Sequence, residues 1–569
     1  MKNFEVSRVL NEIADLTEII GEEAFKARAY RRASESIAKL PGDIRDFARD
    51  GRLMEIPGVG KNIAAKIEEY LATGTVRHLE KLREKAPHTI LELLEVPGLG
   101  PRTASVLLKD LNIRDLAGLE AALSQGRLKG LTGIGEKKEQ ALKKGVEQVR
   151  RRGTRKPLGF MWPVSEQIAD ALRGVGGVER VDVAGSIRRR CETIGDIDLV
   201  ASTTDPAGLI ELFTSLPGVT EIVASGDTKA SVKMEDIGQV DLLAVAPAQF
   251  VTALHHFTGS KEHNVRMRGM AKDRGLKINE YGIFDEEERP RGVSSEADIY
   301  RIFDMDYIPP ELREDTGEAE AALEHRLPDL VEAGDIKGDL HVHTRWTDGT
   351  ASIMEMAQAA RGLGHEYVAI SDHSKSLGVA GGLDEEELAR QAEEISEVNA
   401  RLDGFRVLAG IEVDIARSGD LDLDDKTLSG LDIVTASVHS AFHMDEEAMT
   451  ARIEKAMKSP HVDVIGHPTG RLIGRREPYQ VNVGRLIDMA AKTGTFLEIN
   501  ASPDRLDLSD YWARQAIKAG CRLVINTDAH ATTCLHDTRY GVAVARRAWA
   551  TRHDILNTLP VDDLLEAIR

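Results

Sequence analysis

Apolar residues first recur at helical spacing. Val6, Val9, Leu10, Ile13 and Leu16 fall on one face of a 3.6-residue period, and a second amphipathic stretch, rich in Lys and Arg, runs from Ala24 to Leu40. The period then changes. Val181 and Val183, and after a polar segment Ile197, Leu199 and Val200, predict two short strands with a turn at Gly185-Ser186. Gln239 to Val245 predicts another strand, and Asn279 to Phe284 a strand pair about Tyr281-Gly282. The acidic, Ala-rich stretch Asp315 to Ile336 has one helical pattern and predicts a connector. From Gly338 onward seven apolar runs alternate with helical ones, which predicts a parallel (β/α)₇ barrel.

Each of those seven runs ends in His, Asp, Glu or Asn, and parallel barrels place their sites at the carboxyl ends of their strands. One histidine there is ordinary. Repetition at strand after strand is hard to explain by packing, because every buried imidazole or carboxylate would need its own partner. A shared metal cluster satisfies all of them together, and a set of mostly His with three carboxylates suits Zn²⁺, Mn²⁺ or Fe²⁺.

A second chemistry precedes the barrel. Asp196 and Asp198 at i and i+2 of a strand point to one face, where two anions repel unless a divalent cation lies between them. Asp241 on the later strand supplies a third carboxylate, and oxygen ligands of this kind suit Mg²⁺ bound with a triphosphate. Gly185-Ser186 offers N–H groups and a hydroxyl to phosphate, and Arg188 and Arg189 offer charge.

Between helical patterns stand Gly58-Val59-Gly60, Gly98-Leu99-Gly100 and Gly133-Ile134-Gly135. Three such hairpins predict sequence-blind contacts between helix N-termini and a DNA backbone. Composition narrows the picture further. A net charge of −20 argues against general affinity for nucleic acid, so DNA must be met locally. No apolar run approaches the ~20 residues that span a bilayer, Met1 to Glu5 lacks a signal-peptide pattern, and the three cysteines form no paired pattern. A cytoplasmic monomer with no membrane partner is expected.

The sequence Gly185-Ser186-Ile187-Arg188-Arg189 with Gly195-Asp196-Ile197-Asp198 and Asp241 resembles the family X DNA polymerases. That resemblance implies two ions, Mg²⁺ or Mn²⁺, at Asp196, Asp198 and Asp241, with Ser186 and Arg189 gripping the triphosphate. His256-Phe257-Thr258-Gly259-Ser260 resembles the family's Y-F-T-G-S motif. It implies Phe257 and Gly259 against the sugar, Lys261 near the nascent base, and Asn264 and Arg268 near the minor groove and template. Ala29 to Ala33 with the first hairpin resembles the family's lyase domain, implying Lys66 as a Schiff-base lysine and Lys26 as a DNA-end contact, although Asn62 stands where a second lysine is usual. Arg190 replaces a glycine, and a side chain there is expected to restrict the loop or demand φ < 0.

The motifs H-x-H, D-G, D-H, G-x-E, V-H-S, G-H-P and D-A-H resemble the polymerase and histidinol phosphatase (PHP) domain. The resemblance implies up to three ions, Zn²⁺ and/or Mn²⁺: the first on His341, His343, Glu412 and Asp528, the second on Glu412, His439 and His467, the third on Asp348, His373 and His530. The expected organisation is a helical lyase-like domain at 1–85, helix-hairpin-helix domain at 86–152, α+β nucleotidyltransferase palm at 153–250, small α/β thumb-like subdomain at 251–315, linker at 316–335 and (β/α)₇ PHP barrel at 336–569. The expected activity is filling of gapped or nicked DNA with deoxynucleoside triphosphates in base excision repair, with 3′-5′ exonuclease, 3′-end processing and cleavage at abasic sites. Two rival readings are an end-processing nuclease with a weak or inactive polymerase module and a small-molecule phosphatase, which leaves the hairpins without a use.

Overall fold

The computed structural model describes residues 2–21, 24–38, 40, 43–96, 98–128, 131, 134–152 and 155–568. The amphipathic N-terminal stretches form helices Lys2–Ile20 and Ala24–Ala38, which pack face to face. The two helical domains expected at 1–85 and 86–152 are not separately cored. Leu10, Ile13 and Leu16 belong to one apolar cluster with Leu93, Leu107 and Leu142, and the first helix also touches Pro101–Leu111. The last helix before the palm, Glu136–Arg152, runs through the basic residues Arg150, Arg151 and Arg152.

The palm is a five-stranded sheet in the order Val178–Val183, Asp196–Thr203, Gly238–Val245, Lys229–Met234, Val219–Ser225. Its alternation is visible in Ile197, Leu199, Val240 and Leu242, all buried against the helices, while the aspartates face the other way. The strands bearing Asp198 and Asp241 run parallel, with these two residues directly opposite.

Two local expectations are corrected. Gly185-Ser186 opens a one-turn helix, Gly185–Arg188, rather than a simple turn. Arg190 has φ +58°, the left-handed conformation, rather than φ < 0. Its guanidinium stacks 3.5 Å from the Trp162 ring centroid and Nη1 donates to Ile187 O at 3.2 Å, contacts that offset the strain of a glycine-like backbone.

The segment 316–335 is more than a connector. Its helix Glu318–Leu323 is built into the thumb-like core, with Ala319, Ala322 and Leu330 against Met267, Ile299 and Phe303. Glu318 is buried and accepts from His263 Nδ1 at 2.9 Å.

The barrel contains seven parallel strands in sequence order, from Gly338–Val342 to Leu523–Asn526. A parallel bridge between Val342 and Ala529 draws its last strand back to its first. Palm and barrel share one apolar core: Gly159 lies against Pro503, where a Cβ would overlap the ring, and Trp162 meets Tyr540 edge-on at 5.6 Å.

Two candidate metal-dependent sites

In the palm, the strand register brings Asp198 beside Asp241, with Asp196 on the same face. Gly185 has φ +59°, and a Cβ there would overlap Asp198 Oδ2, so the phosphate-side helix closes onto the carboxylate only because this residue is glycine. Burial pushes the Asp198 carboxyl up to about 7, and the neighbouring Asp196 and Asp241 push the same way. Asp196 is raised by burial and by Asp241. Gln239 Nε2 donates to both oxygens of Asp241 at 3.0 and 3.2 Å. Among the described residues, Ser186 Oγ is buried without a hydrogen-bond partner. A cluster of carboxylates that cannot all ionise beside one another fits a divalent cation.

Arg189 is already engaged: Nε donates to Glu314 at 3.1 Å and Nη1 to Thr258 O at 2.5 Å. It thereby ties the Gly185 helix to the turn at Gly259, whose φ is +69°. Phe257 carries Lys229 Nζ 5.4 Å from its ring centroid. Lys261 is exposed at the start of helix Lys261–Asp273, and Asn264 Nδ2 donates to His256 O at 2.7 Å while Arg268 Nε donates to Asn264 O at 3.2 Å.

At the barrel, all nine expected ligands converge at the carboxyl ends of the strands. Among the described residues three groups hold donor atoms within 4.8 Å of one another: His343, Asp348, His373 and His530; His341, His343 and Asp528; His373, Glu412 and His439. The grouping differs from the expected partition in sharing His343 and His373, and His467 joins through Nε2 at 3.0 Å from Glu412 Oε1.

The charges are arranged for cations. Burial alone would lower the His341 pKa, but Glu498, Glu412 and Asp528 together raise it well above the usual value. Burial, with His530 and His373 alongside, lowers His343 to about 3. Glu412 and Asp528 are held well below the carboxylate range by the imidazoles, against the pull of burial. Among the described residues, Glu412 Oε2, His341 Nε2, His373 Nδ1 and both nitrogens of His343 are buried without an aligned hydrogen-bond partner, although His373 Nδ1 lies 2.8 Å from Glu412 Oε2. Close approach without hydrogen-bond alignment fits donors directed at shared cations. His467 and Asp528 also occupy φ +28° and +55°, strain of the kind held at functional sites.

The groups that aim these ligands were not singled out from sequence. Glu498 accepts from His341 Nδ1 at 2.7 Å, leaving Nε2 directed at Glu412 and Asp528. Asp414 lies 3.3 Å from His439 Nδ1. Asp372, beside His373 in the chain, accepts from Thr344 N at 2.8 Å, Thr344 Oγ1 at 2.6 Å and Gln391 Nε2 at 2.7 Å and braces the loop after His343. A carboxylate inside the apolar run Phe496–Asn500 was the available signal for Glu498.

In the N-terminal hairpins, Gly58 and Gly98 have φ +83° and +82°, while Gly60 and Gly100 are the N-caps of helices Lys61–Thr73 and Pro101–Leu111 and, having no side chain, make no side-chain cap bond. Gly135 precedes helix Glu136–Arg152, whereas Gly133 lies outside the described residues. Lys26 is exposed. Lys66 Nζ donates to Asn62 O at 3.3 Å and lies 5.7 Å from the Tyr30 ring centroid.

A sheet with three convergent carboxylates, hairpin helices before it and a metal-type barrel behind it define a modular enzyme of phosphate chemistry. Family models agree segment by segment: a helix-hairpin-helix domain over 1–76, a SAM-like helix-hairpin-helix tandem over 90–147, a DNA polymerase beta thumb over 253–314 and a PHP domain over 339–502. The chain is 40% identical over 567 residues, 99% of each chain, to the DNA polymerase/3′-5′ exonuclease PolX of Bacillus subtilis, and so belongs to the family X DNA polymerases of the PolX type, with a C-terminal PHP domain. Further relatives match in part. Rat DNA polymerase lambda is 23% identical over 55% of this chain and 56% of its own, and a probable phosphatase of Thermoanaerobacter sp. (strain X514) is 29% identical over 39% of this chain and 89% of its own.

Proposed function

We propose that the chain fills short gaps in DNA from deoxynucleoside triphosphates at the palm and trims or unblocks the 3′ end at the barrel, as a cytoplasmic monomer in base excision repair. The observation that carries this reading is that one chain gathers carboxylates at two places, one under Gly185 and one, with histidines, at the barrel's strand ends. Asp196, Asp198 and Asp241 would hold two Mg²⁺ or Mn²⁺ ions, and the nine barrel residues up to three Zn²⁺ or Mn²⁺ ions. Such ions neutralise phosphate oxygens, activate a hydroxyl or water and stabilise the leaving oxygen.

Around them the chain's own groups take separate roles. Ser186 Oγ, buried and without a partner among the described residues, would meet the triphosphate, and Arg189 would turn to it from Glu314. Phe257 and Gly259 bound the sugar, Lys261 the nascent base, and Asn264 and Arg268 the minor groove. The helix starts after Gly60 and Gly100, which lack a side-chain cap, present backbone N–H groups to DNA phosphates, which reconciles binding with a charge of −20. Lys26 meets the DNA end, and Lys66 is the candidate amine for lyase chemistry; cleavage at abasic sites belongs to the barrel.

The test is extension and 3′-5′ digestion of gapped DNA by full-length Asp198→Ala and His343→Ala. The first variant is expected to lose extension and keep digestion, and the second to do the reverse. Wild-type digestion without any extension would overturn the polymerase half of the reading.

A further inference from the structure

Arg547 ends the barrel helix Thr538–Arg547, yet its guanidinium is spent largely outside the barrel. Nη1 donates to the carbonyl oxygen of Arg189 at 2.8 Å and to Glu314 Oε1 at 2.8 Å, while Nε donates to Asp510 Oδ2 at 2.8 Å on the barrel side. The same Glu314 oxygen accepts from Arg189 Nε at 3.1 Å. The Arg547 and Arg189 side chains are only 13% and 15% exposed, so water does little to replace either bond. The adjacent Arg546 reinforces the seam, donating to Glu311 at 2.9 Å and to Val331 O at 3.1 Å.

From this geometry we infer that Arg547 is a positioning residue for nucleotide addition: the barrel reaches across to fix the palm's phosphate-binding loop and to compete with Arg189 for Glu314. The inference rests on the reading that the palm binds a nucleoside triphosphate. Two effects act together. The bond to Arg189 O pins the backbone that carries Gly185 to Arg190. The ion pair with Glu314 keeps that half-buried carboxylate partnered from the barrel side, so Arg189 can turn toward a triphosphate without leaving Glu314 unpaired. Without Arg547, Glu314 would keep Arg189 as its guanidinium partner and hold it away from the phosphates.

The experiment measures dNTP affinity of full-length protein on gapped DNA with a chain-terminated primer, and KM and kcat on an extendable one. Arg547→Ala is expected to weaken dNTP binding and raise KM about tenfold, as for loss of a charge-assisted contact. Digestion by the barrel should stay at the wild-type rate, and Arg547→Lys should recover part of the affinity. Adding Glu314→Gln to Arg547→Ala should restore dNTP affinity toward wild type, because a neutral amide no longer detains Arg189; a damaged interface would show no such rescue. Wild-type dNTP affinity in Arg547→Ala, or a defect that Glu314→Gln leaves unchanged, overturns the inference. Failure of the wild-type protein itself to bind or add a nucleotide overturns the underlying reading instead.

Discussion

Replacing Asp198 by Asn isolates the electrostatic load at the palm. Asparagine keeps the shape that fits under Gly185 and removes one of three converging charges. In the metal-free protein the Asp198 carboxyl rises from 3.8 to about 7 through burial and its acidic neighbours, which corresponds to an upper bound of about 4 kcal/mol. Asp198 keeps a solvent-facing edge, so about half of that is expected after screening. The sign follows from proton binding. Between pH 3.8 and about 7 the native protein retains a proton that the unfolded chain has released, so stability falls as pH rises through that window. The variant lacks this loss. Urea unfolding in EDTA should show the two proteins alike near the lower end and Asp198→Asn more stable by about 2 kcal/mol above the upper end. Saturating Mg²⁺ should stabilise the wild type preferentially and close the gap. Equal midpoints above the window, or a less stable variant there, would refute the reasoning.

Gly185→Ala would drive a methyl group into Asp198 at a positive φ, and primer extension should fall about 100-fold while barrel digestion is unaffected. Glu498→Gln deprives His341 Nδ1 of its carboxylate, so metal affinity measured by chelator competition should drop about 10–100-fold with extension intact. Glu296 joins Arg188 to the fully buried Arg313, and Glu296→Ala should destabilise the protein by about 3–5 kcal/mol in urea unfolding. Burial opposes ionisation of Glu296, but the two arginines hold its carboxyl well below the usual range, so its contribution should be full at neutral pH and disappear as pH falls below the ordinary glutamate range.

Much of the site was legible because its signals are local. Strand periodicity placed Asp196 and Asp198 on one face, and the repetition of His and Asp at strand ends announced the barrel cluster. What was missed depends on residues far apart in the chain. Glu498 meets His341 across 157 positions, and Arg547 meets Arg189 across 358. Neither has a periodic signature. The helix Gly185–Arg188 is too short to show a period, and Arg190 adopts a glycine-like φ with Trp162 stacked on its side chain, a contact invisible to local propensity. Segment 316–335 read as a connector by composition, since its alanines bury little each and its one buried acid, Glu318, finds its partner in His263, 55 positions away.

The claim that two separate sites serve one DNA end is tested most directly on gapped DNA whose primer carries a 3′-phosphate. Wild type should remove the block and extend the primer; Asp198→Ala should accumulate unblocked, unextended primer, and His343→Ala should leave the block in place. Mixing the two variants should restore extension. Extension by His343→Ala alone, or a mixture that stays inactive although each variant keeps its remaining activity on a simple substrate, would contradict the account.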